Sequence, residues 1–165
     1  MKIICFDIGG TKILKAVVEI AGDKFKFLEV KEEKNPQNTK KIRNLFLDYC
    51  KEMKNKHKTR EVAISTAGIV DQQKKIISPA AKWYGTNRFG FNFLEKRNFS
   101  VEIENDGRCF AFGEYFFGKG QKAKNILAIT LGTEVGGGLI IDGKNYRGFH
   151  NSALEISHIS ANYAG

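Results

Sequence analysis

No apolar run in this 165-residue sequence approaches the roughly 18 to 20 residues needed to cross a bilayer. The opening stretch, Met1 to Asp7, is short and strand-like and lacks the layout of a signal peptide. A cytoplasmic protein with no membrane partner is therefore expected. Cysteine is scarce: Cys5, Cys50 and Cys109 are odd in number, far apart and set among apolar residues. That pattern supports neither a disulfide framework nor a zinc knuckle, and buried thiols are expected. Acidic residues are outnumbered, 18 Asp+Glu against 27 Lys+Arg, for a net charge of +9. The lysines are scattered, however, and the densest stretch, Lys51 to Arg60, falls at the end of a predicted helix, where cations suit the dipole. A nucleic-acid partner is not expected, and the excess charge suits anionic small molecules. What the chain does have is 42% hydrophobic and 12% aromatic residues, enough to core one domain or two small ones.

Lys2 to Phe6 and Ile13 to Ile20 read as strands around a Gly9-Gly10 turn, and Gly22-Asp23 marks a hairpin into a strand over Lys24 to Val30. Ile42, Leu45, Phe46, Tyr49, Cys50 and Met53 recur at helical spacing, with Asn35-Pro36 as the start signal. Glu61 to Ser65 and Val101 to Glu104 read as apolar strands, and Lys75 to Ser78 as a short one. Trp83 to Phe91 has no clean period and reads as a loop, whose Tyr84, Phe89 and Phe91 either form an interface or cap the core. Asp106 to Phe117 reads as a helix stopped by Gly118 and Gly120, which puts Asn105-Asp106 at a strand-to-helix junction. Near the end, Asn125 to Leu131 and Leu139 to Ile141 read as strands flanking a glycine-rich turn, Gly132 to Gly138, with Asp142-Gly143 as a further hairpin turn. Both ends of the chain thus read as strand, Gly/Thr turn, strand, hairpin, a weak internal repeat that suits two similar sheets offering glycine turns to one ligand.

Glycines after a strand let backbone N–H groups approach an anion with no Cβ in the way. Gly9-Gly10-Thr11 and Gly136-Gly137-Gly138 both fit that use, although a plain hairpin explains the first equally well. Asp7 is placed to hold a hydrated Mg²⁺. Neither turn has the ending of a P-loop. Asp106 has the placement of a general base or of an ordinary helix N-cap. Glu155 and His158 share a face if helical, serving sugar hydroxyls or only one another.

In this order, the pieces resemble the ROK family (repressors, open reading frames and kinases) of the actin-like, hexokinase-type ATPases, over almost the whole chain. Asp7-Ile8-Gly9-Gly10-Thr11-Lys12 is similar to the family's first phosphate motif, Gly132-Thr133 with Val135-Gly136-Gly137-Gly138 to its second, and Glu104-Asn105-Asp106 to its catalytic Glu-Asn-Asp. The resemblance implies an α/β fold, a mixed sheet flanked by helices of the actin-like ATPase (ribonuclease H-like) type, over residues 1–117, with an incomplete second domain over 118–165. It implies ATP and Mg²⁺ as cofactors and phosphorylation of a hexose or N-acylated hexosamine. Asp106 would deprotonate the acceptor hydroxyl, Asn105, Glu155 and His158 would hold other hydroxyls, and Gly68 would form the sugar-side turn. Departures from the family are Ala67 for a proline, Glu134 for a glycine in the second phosphate turn, and Leu154 and Ser157 for glycines. His158, a zinc ligand in the family, has no suitable cysteine partners here, so no zinc is expected. The resemblance leaves open a fragment or shortened relative, and a homo-oligomer. It also leaves two other classes: a sugar-binding ROK regulator, against which the first phosphate strand starting at Met1 leaves no room for a preceding DNA-binding segment, and a non-catalytic sugar-binding module.

Overall fold

The computed structural model describes residues 1–78, 88–131, 135–154 and 156. By packing, the chain divides into two compact units, Met1–Asn105 and Asp106–Gly165. The domain break expected after Phe117 thus stands beside a packing division between Asn105 and Asp106.

In the first unit, β1 (Lys2–Ile8), β2 (Lys12–Ala21) and β3 (Lys24–Lys34) form an antiparallel meander, and β4 (Glu61–Thr66) and β8 (Ser100–Asn105) extend it in parallel to give the order β3-β2-β1-β4-β8. Parallel addition requires crossovers, and α1 (Thr39–His57) supplies the one between β3 and β4. The face of α1 carrying Ile42, Phe46, Tyr49, Cys50 and Met53 is buried, as its spacing predicts. Phe46 stacks on Phe6 of β1 at 3.8 Å between ring centroids, and Tyr49 meets the same ring edge-on. Truncating such a ring costs about 3–5 kcal/mol, so this contact fixes α1 on the sheet. The helix start differs from expectation. Asn38, not Asn35, is the N-cap, accepting from Lys41 N at 3.0 Å. Asn35 is buried and bonds elsewhere. At the other end, Lys54, Lys56 and His57 occupy the last turn, the place a helix dipole favours for cations.

A second small sheet, β5 (Val70–Asp71), β6 (Ile76–Ile77) and β7 (Phe89–Gly90), corrects the reading of a loop through Phe91. Phe89 and Phe91 are buried and pack edge-on and tilted against Phe93 of α2 (Asn92–Glu95), so they cap the core instead of forming an interface. Trp83 and Tyr84 lie outside the described residues.

The second unit holds α3 (Asp106–Phe117) against an antiparallel sheet of β9 (Ile126–Leu131), β10 (Val135–Ile141) and β11 (Lys144–Asn145), with Ala111, Ala128 and Ile140 buried between them. Positive φ at Asp142 (48°) and Gly143 (74°) makes the expected hairpin turn. One expectation fails: Gly136, Gly137 and Gly138 are inside β10, paired with Thr130, Ile129 and Ala128, and not in the preceding turn. The cause is helix packing. A Cβ on Gly138 would lie 2.6 Å from the Ala111 Cβ and from the Gly107 oxygen, and one on Gly107 would lie 2.6 Å from the Gly137 oxygen. Strand and helix approach here backbone to backbone. Of the thiols, Cys50 is buried as expected, whereas Cys5 and Cys109 are only partly so.

Candidate functional site

The sheet's topology assembles the site in the first unit. Since β1, β4 and β8 run parallel, their carboxyl ends fall side by side, with Ile8 opposite Thr66 and Thr66 opposite Asn105. Ligands of open α/β sheets bind outside this end of the strands. One step back, Asp7, Ser65 and Glu104 form a second row, and the Ser65 hydroxyl donates to Asp7 Oδ1 at 2.7 Å. Asp7 remains exposed.

From β1 the chain enters the Gly9-Gly10-Thr11 turn, closed by Gly9 N donating to Lys12 O at 2.9 Å. Two side chains that the sequence did not assign to the turn brace it: Asn35 Nδ2 donates to Gly9 O at 2.7 Å, and Gln37 Nε2 to Gly10 O at 3.2 Å. Asn35 N also donates to Thr11 O, and Asn35 Oδ1 accepts from Gln37 N. The Asn-Pro-Gln run was legible only as a helix start, because a side chain bonding a turn 26 residues earlier leaves no local pattern. Among the described residues nothing lies within 4 Å of where a Cβ on Gly10 would be, and Gly10 has no left-handed φ. Neither packing against those residues nor backbone strain demands glycine there. Lys12, expected beside the phosphates, forms a surface ion pair with Glu32 at 3.0 Å.

From β4 the chain turns through Thr66-Ala67-Gly68, with Thr66 fully buried and Gly68 at φ 96°, a conformation that favours glycine. Asn105 Nδ2 donates to Gly68 O at 3.2 Å, tying the expected sugar-side turn to the end of β8. The neighbouring Glu104 is buried and engaged on both oxygens, accepting from Asn105 N at 2.9 Å and from Gln72 Nε2 at 2.8 Å. Gln72 also donates to Ile103 O. Glu104 and Gln72 therefore hold the strand end from which Asn105 emerges, and Gln72 was missed in the sequence for want of any motif.

Asp106 is the first residue of α3, exposed, with Oδ1 accepting from Gly107 N at 2.8 Å. The next residue, Gly107, lies against the backbone of Gly137, so within the second unit the carboxylate stands beside the glycine strand. Arg108, buried on the following position, donates to Asn151 O at 2.6 Å and anchors the loop that leads to residue 155. The other expected site residues, Gly132, Thr133, Glu155 and His158, and with them Glu134, lie outside the described residues. Among the described residues, no three His, Cys, Asp or Glu side chains converge as a ligand set.

Comparison with known proteins matches this geometry to a family. The model of the ROK family covers residues 3–165. The chain is 33% identical over 155 residues to glucokinase of Streptomyces coelicolor, spanning 93% of this chain and 48% of that protein. It is 38% identical over 105 residues to the N-acetylgalactosamine kinase AgaK of Shewanella sp. (strain ANA-3), spanning 62% of this chain and 34% of that protein. The crystal structure of a ROK family glucokinase from Streptomyces griseus in complex with glucose and AMPPNP superposes with a TM-score of 0.81 at 33% identity, over 96% of this chain and 50% of that one. The chain thus spans about half the length of the glucokinases it matches.

Proposed function

The chain belongs to the ROK family and has the actin-like ATPase fold of its sugar kinases, and from that premise we propose that it forms the sugar-binding and phosphate-binding part of an ATP-dependent kinase acting on a hexose or N-acylated hexosamine. The observation that carries the reading is the alignment of three strand ends, at which the Asp7 turn, the Gly68 turn and Asn105, the residue before Asp106, stand side by side. Kinases and a glucose-bound structure among the similar proteins support it.

In this reading Asp106 is the general base. Its carboxylate takes the proton of the acceptor hydroxyl as that oxygen attacks, a role worth about 10²–10⁴-fold in rate. Asn105, held through Gly68 O, orients a neighbouring hydroxyl, and Gly68 shapes the wall on which the sugar rests. Glu155 and His158 belong to the same sugar-binding set, and Gly132, Thr133 and Gly136 to Gly138 to the phosphate-binding set. The Gly9-Gly10-Thr11 turn, braced by Asn35 and Gln37 and closed by the Gly9 N–H, presents the Gly10 and Thr11 N–H groups and the Thr11 hydroxyl to the phosphates. Lys12 adds positive charge to that side of the turn. Open space over Gly10 suits close approach of an anion. ATP supplies the transferable phosphoryl group, with Mg²⁺ neutralising its charge. Asp7 fits the metal, because Ser65 occupies one carboxylate oxygen and a water-rich Mg²⁺ shell needs few protein ligands. Phosphoryl transfer depends mainly on such positioning and charge neutralisation.

The test is a panel of glucose, N-acetylglucosamine, N-acetylgalactosamine and N-acetylmannosamine with ATP and Mg²⁺, read by ADP release and by calorimetric sugar binding. Turnover of one sugar that Asp106→Asn loses, with sugar binding retained, supports the kinase. Sugar binding without turnover identifies a binding module. Failure to bind any of the four rejects the reading.

A further inference from the structure

The densest basic stretch of the sequence, Lys51 to Arg60, plays no part in the candidate site, and its lysines divide between two surroundings. Lys56 pairs with Glu29 of β3. Lys51 and Lys54 follow Leu47 at helical spacing on α1, and the three line one wall of a hollow of about 280 Å³. Arg97 and Phe99, just before β8, line the other wall. Leu47 and the buried Phe99 give the hollow an apolar floor. Lys54 Nζ lies over the Phe99 ring, 5.9 Å from its centroid, and Arg97 Nη1 is held by donating to Phe93 O at 3.0 Å.

Among the described residues, none of Lys51, Lys54 and Arg97 forms an ion pair. Cations gathered without partners repel one another, and a bound anion relieves that repulsion. Asp48 also lines the hollow. Three cations less this one carboxylate leave two positive charges, which matches a phosphate monoester near −2 at pH 7. A guanidinium fork and two ammonium groups suit its oxygens. The volume is at the low end for small-molecule sites, enough for one ring or a short alkyl chain with its phosphate.

We propose that this hollow binds a small organic phosphate monoester, with the phosphate among Lys51, Lys54 and Arg97 and the apolar body on Leu47 and Phe99. It is a different site from the one at the carboxyl ends of the strands. Phe99 precedes the first residue of the six-residue β8 and Asn105 is its last, so about 20 Å of strand separates the two. The inference therefore does not rest on the catalytic reading.

The test is an amide-shift titration of the ¹⁵N-labelled chain with phenyl phosphate, and separately with inorganic phosphate, which lacks the ring, and benzoate, which lacks the second charge. Phenyl phosphate is expected to saturate a single site, to move the Leu47, Lys51 and Phe99 amides, and to bind at least about 10-fold more tightly than either control. Lys51→Gln with Lys54→Gln, which keeps helix propensity, is expected to weaken it by about 10-fold or more. Lys24→Gln with Lys26→Gln, the same loss of charge on β3, is expected to change it by less than about 2-fold, because salt screens distant charges. The proposal is overturned if either control binds as tightly as phenyl phosphate, if the α1 double variant binds like the parent, or if the amides that move are those of the Gly9-Gly10-Thr11 turn instead.

Discussion

Replacing Gly138 by alanine sets two effects of opposite sign against each other. On strand propensity alone the change gains about 0.5–1 kcal/mol, because glycine gives up more backbone entropy on folding. The packing reverses the sign. The new Cβ would lie 2.6 Å from the Ala111 Cβ, 2.6 Å from the Gly107 oxygen and 3.0 Å from the Arg108 Cα. Two of these are helix backbone and have no rotamer to yield, so α3 as a whole must lift from β10. Overpacking of that kind costs about 1–3 kcal/mol, more than propensity returns. Gly10→Ala is the control: its Cβ meets nothing within 4 Å and its φ is unstrained, so stability is expected to hold within about 0.5 kcal/mol. The assay is urea unfolding together with hydrogen exchange of the α3 and β10 amides, which should quicken by about 5-fold or more in Gly138→Ala. A Gly138→Ala chain as stable as the parent refutes the packing argument.

Asn35→Ala removes a buried side chain that bonds Gly9 O and Gln37 N; a loss of about 1–3 kcal/mol is expected, with weaker binding of an ATP analogue, both measured by thermal shift with and without that analogue. Gln72→Leu strips a donor from the buried Glu104 and should cost about 1–3 kcal/mol in urea unfolding; no change would show that Gln72 does not hold the strand end. Burial pushes the Cys50 thiol up from 9.0 to about 12. Its stabilising contribution is thus complete below pH 9.0 and is lost as pH rises toward 12, because only the unfolded chain readily ionises it. The urea midpoint should fall across that window, and Cys50→Ala should flatten the fall while lowering the midpoint at pH 7. A disulfide reagent at pH 8 should label Cys50 only on unfolding, since the thiolate is the nucleophile.

Local patterns were legible and long-range ones were not. The period of Ile42 to Met53 foretold both α1 and its buried face, since a helix reports its environment every three or four residues. The Asn105-Asp106 junction was legible because strand and helix periods meet there. The glycine triplet misled. Gly136 to Gly138 read as a turn because glycine normally interrupts strands, and the reason it does not do so here, the approach of Gly107, is 30 positions away in the chain. Asn35 misled likewise, since Asn-Pro is a start signal locally and a brace for Gly9 only in three dimensions. Residues that hold other residues, such as Gln72 on Glu104 and Arg108 on Asn151, carry no spacing rule at all.

The two glycine motifs, alike in sequence, therefore rest on different physics. At Gly10 nothing among the described residues needs the missing side chain, and in the proposed function it is a ligand approaching the turn that does. At Gly138 the missing side chain is spent on seating α3, and α3 begins with Asp106. The second motif thus serves position, since α3, which begins with Asp106, is seated on β10 by backbone contact. In the proposed kinase reading, Gly138→Ala, which adds one methyl group in the interior, should lower turnover and stability together by displacing α3 and with it Asp106. Gly10→Ala should weaken ATP with little change in stability.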